Sequence, residues 1–202
     1  MMKVLRFFGI LLLAFPAFNY PGMAQKPVDS IPYSILRQIT VSYYKECYDS
    51  LPLIKLSKKP VLRQKKSSYE YECSPINRQE SLDGFGLLEI DKRILLGDLT
   101  CDGQDELIIS AVGNSGGSSH WGYEYVFQNT GTEWNLLTYF NAPNIFLENK
   151  QVLDCLLVGN ILSYDKDDSH CCPSKKEEIR LKYDKQMNEI VEVSRKFLGK
   201  VK

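Results

Sequence analysis

The sequence predicts an α+β fold: an antiparallel β-meander or sandwich-like sheet with one N-terminal amphipathic helix packed on it. Three observations lead there. One early segment repeats apolar residues at helical spacing. Most of the chain from residue 67 onward alternates at strand spacing between turn-forming residues. No βα repeat runs through the sequence.

The elements follow in order. Lys3 and Arg6 precede the apolar stretch Phe7 to Phe18, too short to span a bilayer, and Gly22-Met23-Ala24 offers the small residues a signal peptidase reads. Residues 1–24 are therefore expected to be a signal peptide, and residues 25–202 one globular domain, with a helix and basic linker at 25–66 and a β-rich part at 67–202. Cleavage removes two of the 25 basic residues and none of the 25 acidic ones, which leaves a net charge of −2. That balance argues against a nucleic-acid partner, and the mature chain has no apolar run that would span a membrane. The expected location is secreted or periplasmic.

A helix is expected from about Pro32 to Ser50. Ile31, Ile35, Ile39, Tyr43, Cys47 and Leu51 recur at i+4, and Leu36, Tyr44 and Tyr48 widen the stripe. Asp29 or Ser30 can cap it, Pro32 suits its first turn, and Pro52 stops it. The cationic stretch "KLSKKPVLRQKK" reads as a solvated linker, though it could touch anionic lipid or polysaccharide. Tyr69, Tyr71 and Cys73 alternate as one strand. One or two short strands are expected at Leu87 to Leu96, and further strands at Glu106 to Val112, Gly122 to Gln128, Trp134 to Phe140, Val152 to Val158, Asn160 to Tyr164, Glu177 to Tyr183 and Glu189 to Lys196. "NTGTEW" reads as a hairpin turn, Gly159-Asn160 as a tight turn, and Asn141 to Asn149 as a loop.

All six cysteines, Cys47, Cys73, Cys101, Cys155, Cys171 and Cys172, follow the expected cleavage site. An even count in an exported chain favours a disulfide framework. Adjacent cysteines rarely pair, so Cys171 and Cys172 should staple different segments. Cys47–Cys73 and Cys101 with Cys171 or Cys172, leaving Cys155 for the other, are the expected pairings. A metal cluster with His170 is the alternative, and the lack of a CxxC pair weighs against it.

The stretch "GDLTCDGQDELII" carries oxygen donors at alternate positions. Asp98, Thr100, Asp102, the Gln104 carbonyl and Glu106 could ligate Ca2+, with Gly103 for the sharp turn. The position where an EF-hand places its bidentate Glu is Ile109, and the flanks read as strands, so the loop is not an EF-hand. The competing reading is a polar turn whose carboxylates accept backbone N–H bonds. The motif is similar to the "GDLNGDGxxD" loops of FG-GAP and VCBS repeats, whose members bind calcium in β-propeller blades; this chain has one copy, and a propeller needs several. It more closely resembles single-copy exported bacterial proteins, including the LppP/LprE-type lipoproteins, with "GDLTGDGxxEA" before a strand and, in related proteins, a later "HCCPS"; here "SHCCPS" spans Ser169 to Ser174. The resemblance covers about half of the mature chain. It implies a fold and a compartment and no activity. Cys101 stands where that family has glycine, which would draw the loop into a disulfide, and Thr100 replaces the commoner Asn.

"GNSGG" at Gly113 to Gly117 satisfies G-x-S-x-G, and Ser115, then Asp165, Asp167 or Asp168, then His170 follow a hydrolase order. The elbow needs a helix after the serine, whereas "SSHWGYEYVF" alternates like a strand. His120, Trp121 and Tyr123 lie beside this turn, where an exposed Trp could stack on a sugar or a protein partner; a half-buried Trp at a sheet edge is the plainer account. The function expected is thus non-catalytic: an exported, disulfide-stapled binding or structural module, calcium-stabilised through the acidic loop, for a protein or polysaccharide partner. An inhibitor of an extracellular enzyme that presents Gly113 to Gly122, and a serine hydrolase using Ser115 and His170, are the alternatives.

Overall fold

The structure, a computed structural model, describes residues 26–27, 31–50, 61–72, 85–115, 120–143, 147–169 and 172–201. The expected signal peptide lies outside these. The elements are β1 (Lys26–Pro27), α1 (Tyr33–Ser50), β2 (Val61–Gln64), β3 (Ser68–Glu72), β4 (Phe85–Gly97), β5 (Glu106–Ser115), β6 (His120–Asn129), β7 (Trp134–Pro143), β8 (Glu148–Leu153), β9 (Leu156–Ser163), β10 (Lys175–Asp184) and β11 (Glu189–Lys200). The α+β class holds. Two antiparallel sheets carry it: a seven-stranded sheet in the order β2-β3-β4-β5-β6-β7 with β1 on β4, and a four-stranded sheet in the order β11-β10-β9-β8.

The large sheet is the middle layer. Its strands alternate apolar residues to both faces. On one face Leu88, Ile90, Leu107, Ile109, Ala111, Tyr123, Tyr125 and Phe127 meet Ile35, Leu36, Ile39 and Tyr43 of α1. On the other face Leu95, Leu99, Ile108 and Val126 meet Leu157, Ile161, Ile179 and Leu181 of the small sheet. The helix stripe read from the sequence is thus the stripe that is buried. Gln38 fixes its register. Its Nε2 donates to the Trp134 carbonyl at 2.7 Å and its Oε1 accepts the Leu136 N–H at 2.7 Å, so one amide side chain pairs with the open edge of β7.

Three expectations are corrected. The basic linker contains β2, which pairs with β3. The stretch at Leu87 to Leu96 is one long strand interrupted by a bulge between Ile90 and Ile94. That bulge turns Lys92 inward, where its Nζ donates to the Lys65 carbonyl at 2.7 Å and lies 5.0 Å from the Tyr69 ring centre. The tight turn after β8 falls at Asp154-Cys155 and not at Gly159-Asn160, which lie inside β9. Asp154 and Cys155 take φ of 50° and 60°, the left-handed pair that a two-residue hairpin demands. Gly159 is small for a different reason: a Cβ there would lie 2.6 Å from Leu147 Cγ. No described helix is long and apolar enough to cross a membrane.

Candidate functional site

The acidic loop between β4 and β5 closes on its own backbone. Asp98 accepts the N–H groups of Asp102 and Gly103 at 3.1 and 2.9 Å, one on each carboxylate oxygen. Asp102 accepts the Gln104 N–H at 2.9 Å and the Gln128 amide at 3.3 Å. Glu106 is fully buried; its Oε2 accepts the Leu99 and Thr100 N–H groups at 2.8 and 2.9 Å, and its Oε1 accepts the Thr100 hydroxyl at 3.3 Å. The five expected calcium ligands therefore divide. Thr100 and Glu106 form an interior clamp, while Asp98, Asp102 and Gln104 form the outer rim. Burial pushes the Glu106 carboxyl up, against the pull of the Thr100 and Leu99 N–H groups. Among the described residues, no group of three or more His, Cys, Asp and Glu side chains is placed to hold a metal ion.

Cys101 joins Cys155, with Cα atoms 5.5 Å apart. This corrects the expected pairing of Cys101 with Cys171 or Cys172. The β8–β9 turn carries Cys155 against the acidic loop, where Cys101 itself has a φ of 59°. That is the left-handed region, which favours glycine. The bond ties the large sheet to the small one. Cys172 is disulfide-bonded as well. The side chain of Cys47, and all of Cys73 and Cys171, lie outside the described residues.

The other expected residues separate. Tyr123 is buried in the helix-side core, edge-on to Tyr43 with ring centres 5.6 Å apart and stacked on Tyr125, which corrects its assignment to a partner surface. Trp121 is half-buried against the same core. The side chains of His120 and Ser115, residues 116–119, and His170 lie outside the described residues. β5 ends at Ser115 and β6 returns antiparallel from His120, so a hairpin stands where a nucleophile elbow would need a strand followed by a helix. Asp165 is taken up by Lys175 at 3.2 Å and Lys200 at 2.6 Å, and Asp168 accepts the Asp165 and Ser174 N–H groups.

A second polar site was not expected. The small sheet covers only part of the large sheet's second face. Beside the covered part, the same strands switch from Ile108 and Val126 to Ser110 and Glu124, and Glu89 lies on the neighbouring strand. Together with Leu147 and Lys150 at the start of β8, these residues line a cavity of about 580 Å³. At its floor Lys150 Nζ donates to Glu124 Oε2 at 2.8 Å and to the Ser110 hydroxyl, and Ser110 donates to the same Glu124 oxygen at 3.1 Å. The two charged side chains are only 4% and 7% exposed.

Among the described residues, every hydrogen bond of Glu124 ends on Oε2 and none on Oε1. Burial pushes the Glu124 carboxyl up, and the Lys150 charge offsets part of that rise. On the wall, Glu89 accepts the Ser68 hydroxyl at 2.6 Å and Asp91 holds the Arg93 guanidinium at 2.6 and 2.8 Å. The one sequence signal was the phase of "SAVG" and "YEYVF", which sets Ser110 and Glu124 on the sheet face shared by Ile108 and Val126. Comparison with protein-family models, curated proteins and solved structures returns no match to this chain.

Proposed function

We propose that the chain is an exported, disulfide-stapled, non-catalytic binding module, and that the cavity beside Glu124 and Lys150 is where it takes a small polar ligand. One observation carries this reading: a buried ion pair lies at the floor of a cavity and keeps one carboxylate oxygen uncommitted. A buried pair is costly to desolvate, and apolar residues of similar volume are commonly as stable or more so. Its retention beside an open volume is explained by recognition. The volume falls in the range of small-molecule sites, about 300–1,000 Å³. Export is supported by the disulfide.

Calcium has a secondary part in this proposal. Asp98, Asp102 and the Gln104 carbonyl would hold it at the rim, on lone pairs left over from their backbone bonds, and it would reinforce a turn that already closes without it. Millimolar calcium raising the melting temperature, with loss of the rise in Asp98→Ala/Asp102→Ala, supports that part; no rise removes it.

The ligand site is tested by amide NMR on the full chain, titrated with a panel of small polar molecules of both charges and none. Binders should perturb Ser110, Val112, Gly122 and Lys150 together, and the cavity-filling Val112→Trp should erase the response. Shifts scattered over the surface, or unaffected by that variant, would remove the reading.

A further inference from the structure

We infer that the cavity selects a small organic cation, a primary ammonium group carried on a short chain or ring with further hydrogen-bond donors. This rests on the reading of the cavity as a ligand site and adds its chemistry. The two cations of the wall are already matched. Lys150 is held by Glu124 and Ser110, and Arg93 by two bonds to Asp91. The carboxylates are not matched in the same way. Glu124 keeps Oε1, on a side chain 7% exposed, without a described donor. Glu89 receives its one described hydrogen bond, from Ser68, on Oε1. Glu148 stands at the mouth on the opposite sheet.

An entering anion would meet these carboxylates at short range and in a partly dry setting, where like charges repel strongly. A neutral polyol would satisfy lone pairs and leave the charge unmet. An ammonium group supplies three N–H donors and the opposite charge. The room also exceeds what a bare metal ion needs, and Leu147 and Val112 offer an apolar wall for methylene groups. Glu124 Oε1 at the floor and Glu89 on the wall would then each receive a donor from one ligand.

The test is calorimetric titration of the full chain at low ionic strength with putrescine, glucosamine, glucose and gluconate. The same titrations are run on Glu124→Gln, Glu89→Gln and Val112→Trp. Putrescine, glucosamine or both should bind, while glucose and gluconate should not; the preference between the first two tells an alkyl diamine from an amino sugar. Glu124→Gln should weaken binding by about tenfold or more. Should that variant fail to fold, Glu89→Gln, at an exposed wall position, should still weaken binding several-fold. Glucose or gluconate binding that Val112→Trp abolishes would overturn the cationic class and leave the cavity a ligand site. No binding by either amine would overturn the class as well, and the ligand site itself falls only if the wider panel also gives no localised response.

Discussion

The acidic loop and the cavity both gather carboxylates, and they use them in opposite ways. In the loop Asp98, Asp102 and Glu106 turn their oxygens onto neighbouring N–H and O–H groups of the fold. In the cavity Glu124 concentrates its described bonds on one oxygen, and none of them ends on the other. A carboxylate whose two oxygens both accept protein donors holds a turn, and a carboxylate with an oxygen left over can hold something else. Sequence motif alone does not separate these cases. The loop carries the recognisable pattern, whereas Glu124 sits in an unremarked strand.

The largest effect should come from separating the buried pair. Glu124→Leu leaves the Lys150 ammonium without its partner and should cost about 3–5 kcal/mol in urea unfolding. The double variant Glu124→Leu/Lys150→Met should recover that loss. Equal losses in both would mean that the pair is not desolvated. Next, Cys101→Ser/Cys155→Ser opens a link between positions 54 residues apart and should lower stability by about 2–4 kcal/mol. Glu106→Ala, which leaves the Leu99 and Thr100 N–H groups without their acceptor, should cost about 2–3 kcal/mol. Glu106→Gln keeps a carbonyl for them and should lose much less. A loop that tolerates Glu106→Ala would not be the clamp described.

The smallest effect is in pH. Burial raises Glu106 and Glu124 above the usual glutamate range, so the folded state holds their protons more tightly than the unfolded chain. Their contribution is therefore fully present below the unfolded pKa and is lost as pH rises through the folded one. Glu106→Gln should flatten that decline. Asp165 has the opposite sign. Lys200, the Lys166 N–H and Lys175 hold it well below the usual aspartate range, so its contribution is present above the unfolded pKa and is lost as pH falls through the depressed one. Asp165→Asn should make the acid limb of the pH–stability curve shallower.

Much of this fold was legible where one residue face decides the structure. The stripe at Ile35, Ile39 and Tyr43 buries as its spacing required, and Tyr123, Tyr125 and Phe127 face one way. What escaped depended on which elements meet. The Cys101–Cys155 link needed the β8–β9 turn to be placed first, and Gly159-Asn160 offered a more familiar turn signal than Asp154-Cys155. The cavity depends on where the small sheet stops covering the large one. No local pattern tells whether Ser110 and Glu124 end up beneath the small sheet, beside it or in water.

The contrast between closed and open carboxylates is tested most directly by following side-chain carboxyl resonances in carbon-labelled protein while putrescine or glucosamine is added. The account predicts that Glu124 and Glu89 move together and saturate, and that Asp98, Asp102 and Glu106 stay where they are. Movement of the loop carboxylates with Glu124 unchanged would contradict it.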